Sequence, residues 1–176
     1  MAAGEEGATL ERDKTCCFTG HRENKLPWKG DESDPRCLAL KKEIGLALER
    51  AYLSGMRHFL CGMANGCDLY FAEAVLALRE KLPDVTLEAA IPWEGQADGW
   101  AEPQRARYEA IRARSDFETV VSKSYTPDCL QRRNQYMVDC SALLIAAYSG
   151  AAGGTRNTIL YAMRRNLEIY EIMIDE

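Results

Sequence analysis

The sequence predicts one α/β domain: a mainly parallel, doubly wound sheet of about six strands with helices on both faces. Three observations carry this. Short apolar runs of strand length alternate with helix-period segments along the 176 residues, the order that builds βαβ units. Glycines gather where a strand pattern gives way to a helical one, at Gly62, Gly66, Gly150, Gly153 and Gly154. The run from Leu143 to Ala147 is apolar throughout and flanked by turn formers, as suits a strand buried on both faces of a parallel sheet. Such a domain is Rossmann-like, and it is expected over residues 15–176, after a flexible segment over 1–14.

In chain order, residues 15–19 form a β-type run that stops at Gly20, and 24–34 is a polar loop broken by Pro27 and Gly30. Asp34 and Pro35 are an N-cap and first-turn pair for a helix that places Leu40, Ile44, Ala47, Leu48 and Ala51 on one face and ends near Gly55. Residues 57–61 make the second strand. After the glycine loop 62–66, Leu69, Ala72, Val75, Leu76 and Leu78 keep helical spacing as far as Pro83. The third strand covers 85–91 and is expected to end at Pro92, because proline cannot donate to a ladder. A polar, glycine-broken loop over 93–100 leads to a helix over 103–114. A strand over 119–122, a helix over 129–139, the strand 143–147, a helix from Thr155 to about Arg165 and a strand over 169–174 complete the chain.

Composition narrows the class. An apolar fraction of 47% with 28% charged residues is that of a globular domain, and it excludes disordered and fibrous chains. A net charge of −5 weighs against nucleic acid as a general partner, which calls for a basic surplus. The seven cysteines are scattered without a C-x-x-C pair, and Cys16, Cys17, Cys61 and Cys140 sit in or beside apolar runs. They read as reduced, core-filling thiols of a cytoplasmic protein. Only His21 and His58 could join a cysteine at a metal, so no metal site is expected. The first 14 residues have neither the basic nor the apolar region of a targeting peptide, and no run approaches the length of a membrane span.

In a doubly wound sheet ligands bind outside the carboxyl ends of the strands, near the point where strand order reverses. Five loops belong to that rim, and the uncommon residues fall in them. Thr19, Gly20, His21 and Arg22 follow the first strand; Gly62, Asn65, Gly66 and Asp68 follow the second; Gly153, Gly154 and Thr155 follow the fifth. Glycines admit backbone N–H groups close to an anion, and a following helix adds its dipole. The same glycines would also serve tight turns. There is no P-loop lysine and no G-x-G-x-x-G. Thr155 is expected as the N-cap of the last helix. Asp68 either complements a helix dipole or contacts a ribose hydroxyl. Arg133, or its neighbour Arg132, is placed to clamp an anion over the rim. Trp93, Trp100 and Tyr108 either stack on a base or pack their loop down. The acid–base candidates are His21, Asp68 and Asp139, and no nucleophile with its base is suggested by spacing.

Taken in order, Thr19-Gly20-His21-Arg22, Gly62-Met63-Ala64-Asn65-Gly66-Cys67-Asp68, Gln131-Arg132-Arg133-Asn134-Gln135-Tyr136-Met137-Val138-Asp139 and Gly153-Gly154-Thr155 resemble the YpsA-like family of the SLOG superfamily, over nearly the whole chain. That superfamily includes DprA/Smf and the Lonely-guy phosphoribohydrolases. The resemblance implies a bacterial, Rossmann-like protein that binds a small nucleotide-type ligand in its glycine-lined rim. Lonely-guy enzymes carry a catalytic Glu three residues after the loop threonine, where this chain has Thr158. A nucleotide-binding, sensor-like protein is therefore the first expectation. In it Gly62, Gly66, Gly153, Gly154 and Thr155 hold phosphate, Arg22 and Arg133 neutralise it, and Asp68 orients the sugar. A hydrolase or transferase acting on a nucleoside monophosphate or an ADP-ribose-like substrate is the alternative, and a DprA-like single-strand-binding module the second. No cofactor is fixed by the sequence, and a homo-oligomer stays open.

Overall fold

The computed structural model describes residues 11–175, so the expectation for the leading segment lies largely outside the described residues; Arg12–Lys14 form a single 3-10 turn. Six strands, β1 (Thr15–Gly20), β2 (His58–Cys61), β3 (Thr86–Trp93), β4 (Phe117–Ser122), β5 (Leu143–Tyr148) and β6 (Glu168–Met173), alternate with five helices. These are α1 (Pro35–Leu53), α2 (Cys67–Lys81), α3 (Gln104–Arg114), α4 (Cys129–Asp139) and α5 (Gly154–Arg164). All five strand pairs are parallel, in the order β4-β3-β2-β1-β5-β6. The fold is the Rossmann-like α/β sheet that the sequence predicts.

Side-chain alternation divides the core between the two faces. Cys16, Phe18, Phe59, Cys61, Leu87, Ala89, Leu143 and Ile145 point to the face covered by α1, α2 and α3. Cys17, Leu60, Ala90, Leu144 and Ala146 point to the face covered by Met137 and Val138 of α4 and Ile159 and Ala162 of α5. Right-handed crossovers give this arrangement, because the chain steps one way along the sheet from β1 to β4 and the other way from β5 to β6. The reversal falls between β1 and β5, where connections leave for opposite faces. Burial follows position: β1, β2 and β5 are covered on both sides, whereas β4 and β6 are edges, and β6 alternates exposed and buried residues.

Local chemistry sets the boundaries. The Asp34 carboxylate accepts from the Arg36 N–H at 2.8 Å and Pro35 opens the helix behind it, as expected. One expectation fails. Pro92 does not end β3, which continues to pair with β4 through Trp93↔Ser122. The last rung to β2 is Cys61↔Ala89, so by Pro92 that neighbour has ended and the missing N–H breaks no bond to it. Burial pushes the thiols of Cys16, Cys17 and Cys61 upward, Cys17 to about 12, so they fill space and are not nucleophiles near neutral pH.

A carboxylate lies inside the sheet–α4 interface. Glu88, only 2% exposed, accepts from Tyr136 of α4 and from Thr119 of β4 at 2.8 Å, and meets His58 Nε2 at 2.6 Å. Burial opposes its ionisation, but the hydrogen bonds from His58, Tyr136 and Thr119 outweigh burial and hold the carboxyl below its ordinary 4.5. A lowered native value makes the proton binding of the unfolded chain the larger, so this stabilisation is complete above the unfolded value and fades as pH falls through the native one. Glu88→Gln should therefore be less stable than wild type in urea at pH 7, with the gap narrowing markedly by pH 3.5. A gap independent of pH would show that ionisation of Glu88 contributes nothing.

Candidate functional site

The crevice between the ends of β1 and β5 is built from loops that hold one another. Arg22 forms a single antiparallel bridge with Gly66; Cys67 N–H donates to the His21 carbonyl at 3.1 Å and Glu23 N–H to the Asn65 carbonyl at 3.0 Å. The loop after β1 is thereby laced to the loop after β2. Gly66 permits this twice over. Its φ is +120°, and a Cβ there would lie 2.5 Å from the Glu23 nitrogen. Across the crevice His21 Nε2 accepts the Ser149 backbone N–H at 3.0 Å, with the Ser149 hydroxyl at 3.1 Å. A backbone N–H can only donate, so a neutral His21 ring carries its proton on Nδ1. This lone pair ties the β5 loop in place and is not poised as a general base.

Below the loops lies Arg133, 4% exposed. Its Nη1 donates to the Gly62 carbonyl and to the Ala90 carbonyl, the latter at 3.3 Å, and its Nε donates to Asn134 Oδ1 at 2.8 Å. A Cβ on Gly62 would fall 2.7 Å from the guanidinium carbon. Gln96 Nε2 donates to the same Gly62 carbonyl at 3.1 Å and Gln96 Oε1 accepts from the Tyr108 hydroxyl at 3.2 Å, which anchors the loop after β3. Asp68, 7% exposed, accepts the Ala64 N–H at 3.0 Å. Burial pushes its carboxyl above the ordinary range, against the pull of Arg133, the Ala64 N–H and Arg22; burial likewise lowers Arg133, and Asp68 opposes that.

A cleft of about 90 Å³ opens over this floor, lined among others by Gly20, Arg22, Lys25, Asp68, Arg133 and Thr155. Helix α5 begins at its wall. Gly153, not Thr155, is the N-cap, with φ +145°, and Thr155 stands one residue inside the helix; the glycine conformation turns the chain where a threonine cap was expected. With no side-chain cap, the first-turn N–H groups are left to an outside acceptor. The Lys25 ammonium rests over this turn, 2.7 Å from where a Cβ on Gly153 would lie. Cationic groups from the β1 loop and α4 and a helix N-terminus thus converge on one opening, an arrangement suited to a small anion.

The sequence-predicted residues divide accordingly. Thr19, Gly20, His21, Arg22, Asp68, Arg133, Gly154 and Thr155 line the cleft. Gly62 and Gly66 lie beneath it, their open faces filled by Arg133 and by the β1 loop, so they act as spacers for the walls; Gly153 shapes the turn under Lys25. Asn65 faces a neighbouring cleft. Asp139 is not brought to the rim: it closes α4 at the other edge of the sheet, paired with Arg165 at 3.0 Å and with the Tyr161 hydroxyl at 2.9 Å. Thr158 donates to the Gly154 carbonyl at 2.9 Å. Sequence reading missed Lys25 and Ser149, which reach the site only through tertiary contacts with distant segments. Among the described residues no cluster of three or more His, Cys, Asp or Glu could hold a metal ion, and no helix is long and apolar enough to cross a membrane.

Fold and site together define a Rossmann-like protein with an anion-suited crevice at the switch point of its sheet. The family model described as the YspA SLOG family matches residues 16–175, and the chain belongs to that family. A UPF0398 protein of Bacillus velezensis is 27% identical over 171 residues, covering 93% of each chain. A UPF0398 protein of Bacillus thuringiensis is 26% identical over 159 residues, covering 89% of this chain and 85% of the relative. Among solved structures, DNA processing protein A of Streptococcus pneumoniae superposes with a TM-score of 0.61 at 17% identity, over 92% of this chain and 51% of that one. Its counterpart from Helicobacter pylori, described in a single-stranded DNA binding mode, gives 0.61 at 14% identity, over 92% and 66%. This chain therefore spans about half of the first and about two thirds of the second.

The two glycine contexts make opposite predictions. Gly66→Ala must move the β1 loop and hold alanine at a strained φ, and should cost about 2 kcal/mol or more. Gly45→Ala, in mid-α1 with nothing within 4 Å of the new methyl, should gain about 0.5–1 kcal/mol. Urea unfolding of both variants checks this, and equal effects would contradict the lacing role of Gly66.

Proposed function

We propose that this protein binds a small phosphorylated ligand of the nucleotide type, with phosphate in the crevice between β1 and β5, and that it acts in the cytoplasm as a sensor-like binding protein. The observation that carries the reading is the convergence of Arg22, Lys25 and the uncapped start of α5 on one cleft above the buried Arg133. The cleft lies at the switch point, where doubly wound sheets place their ligands. Seven free cysteines fit a reducing compartment.

Binding without turnover is favoured over hydrolysis by the state of the polar groups. His21 Nε2 is occupied by Ser149, and the Thr158 hydroxyl is spent on a backbone carbonyl. Asp68 is the one carboxyl in the cleft lining, and it is engaged by the Ala64 N–H. A single-strand-binding role is the second reading, favoured by the fold likeness to a protein whose solved structure concerns single-stranded DNA. The formal charge of −5 stands against it.

Thermal unfolding with inorganic phosphate, ribose 5-phosphate, AMP and a short single strand separates these readings. A nucleotide-type ligand at about a hundred times its Kd should add ~2.7 kcal/mol, a rise of roughly 5–10 °C. Lys25→Ala should weaken that ligand about tenfold while leaving the unliganded midpoint within a degree or two. If no phosphorylated small molecule raises the midpoint, or if Lys25→Ala responds as wild type does, the phosphate reading fails. Binding of the single strand alone, weakening steeply with salt, would favour the second reading. AMP recovered unchanged after prolonged incubation is expected, and release of free base would establish an enzyme.

A further inference from the structure

We infer that the cleft beside the phosphate crevice is a nucleobase subsite, so that the ligand is a nucleoside phosphate whose base is held against Trp93 at the end of β3 and Trp100 in the loop after it. This rests on the phosphate reading above and extends it by naming what the remainder of the ligand touches. The second cleft, about 250 Å³, is lined by Trp93, by Gln96 and Trp100 from that loop, by Asn65 from the loop after β2, and by Leu130 of α4. Arg22 and Ala64 line both clefts, so the two adjoin at the phosphate end. Their joint volume reaches the lower end of small-molecule sites, roughly 300 Å³.

The chemistry of this lining differs from that of the first cleft. Two half-buried indoles, in edge contact with Tyr125 at 5.3 Å and Tyr108 at 5.2 Å between ring centroids, present an aromatic lining. The lining is built at a cost in sequence freedom. A Cβ on Gly95 would lie 3.2 Å from Trp93 Nε1 and 2.7 Å from Asp98 Oδ2, so glycine makes room for the indole. Gln96 is locked between the Gly62 carbonyl and the Tyr108 hydroxyl, which fixes the loop to the same carbonyl that holds Arg133. In the same lining the Asn65 amide donates to Glu23 Oε2 at 3.2 Å, which supplies amide and carboxylate groups for the polar edge of a base. A flat, polar-edged aromatic group fits such a slot; a second phosphate would meet Glu23 and does not.

A larger groove, about 390 Å³ between α4 and α5, also adjoins the phosphate cleft through Asn134 and Gly154. The ring on its wall is Tyr161, whose hydroxyl is engaged by Asp139 and whose face is approached by Arg164 at 5.8 Å, so that ring is already partnered.

Titration of the whole protein with AMP and with ribose 5-phosphate, read by tryptophan fluorescence and by calorimetry, tests the assignment. Trp28 is buried against Tyr70 and serves as a constant background. AMP is expected to bind at least about tenfold tighter than ribose 5-phosphate and to quench the emission. Trp93→Ala should reduce the ratio severalfold or more without weakening ribose 5-phosphate, and Trp93→Phe, which keeps a stacking face, should restore most of it. Trp100→Phe guards against a loop that unfolds when Trp100 is truncated, and should keep the preference. Equal affinities in wild type, or a ratio unmoved by Trp93→Ala, would overturn the base subsite while leaving the phosphate crevice standing. If neither compound binds wild type, both inferences fall together.

Discussion

A buried guanidinium stays charged and must be given acceptors, and much of this molecule is arranged around that requirement. Arg133 loses nearly all its water and donates instead to the Gly62 and Ala90 carbonyls and to Asn134 Oδ1, within the field of Asp68. For the Gly62 carbonyl to be reached, β2 must be followed by a residue without a side chain, and α4 must pack against the sheet there. The far half of α4 is then fixed by Tyr136 on the ionised Glu88. The Gly62 carbonyl serves Gln96 as well, so the loop after β3 joins the same body.

Onto this base the topology adds an opening. Because β1 and β5 send their chains to opposite faces, nothing crosses between their ends, and the loops that flank the gap are joined by His21 and Ser149. Arg22 and Lys25 are exposed at its mouth, whereas Arg133 is a buried part of its floor. The division matters chemically. Exposed cations can reach an incoming phosphate, while the buried one raises the local potential without needing to move, as preorganised sites do.

Much of this was legible in the sequence, because each strand and helix advertises its own burial. The fully apolar run at Leu143 marked a central strand, and the Asp34-Pro35 pair marked a helix start, since both depend on neighbours within a few residues. Pro92 misled, because whether a missing N–H matters depends on where the adjacent strand ends. The cap of α5 was displaced from Thr155 to Gly153 by a positive φ that composition does not reveal. The glycines of the loop after β2 have a purpose that composition does not reveal: Gly62 and Gly66 make room for Arg133 and for the β1 loop. Lys25 gave no local signal, as its place over Gly153 is created by folding across more than a hundred residues. Asp139 had the right residue type at the wrong end of its helix.

Whether phosphate enters the crevice between β1 and β5 is read most directly from backbone amide shifts during titration with inorganic phosphate. The largest changes should fall at residues 20–22 and 154–156, with the outer groove of α5 around 160–164 quiet. Shifts confined to that outer groove, or no saturable shifts at all, would contradict the placement of the site.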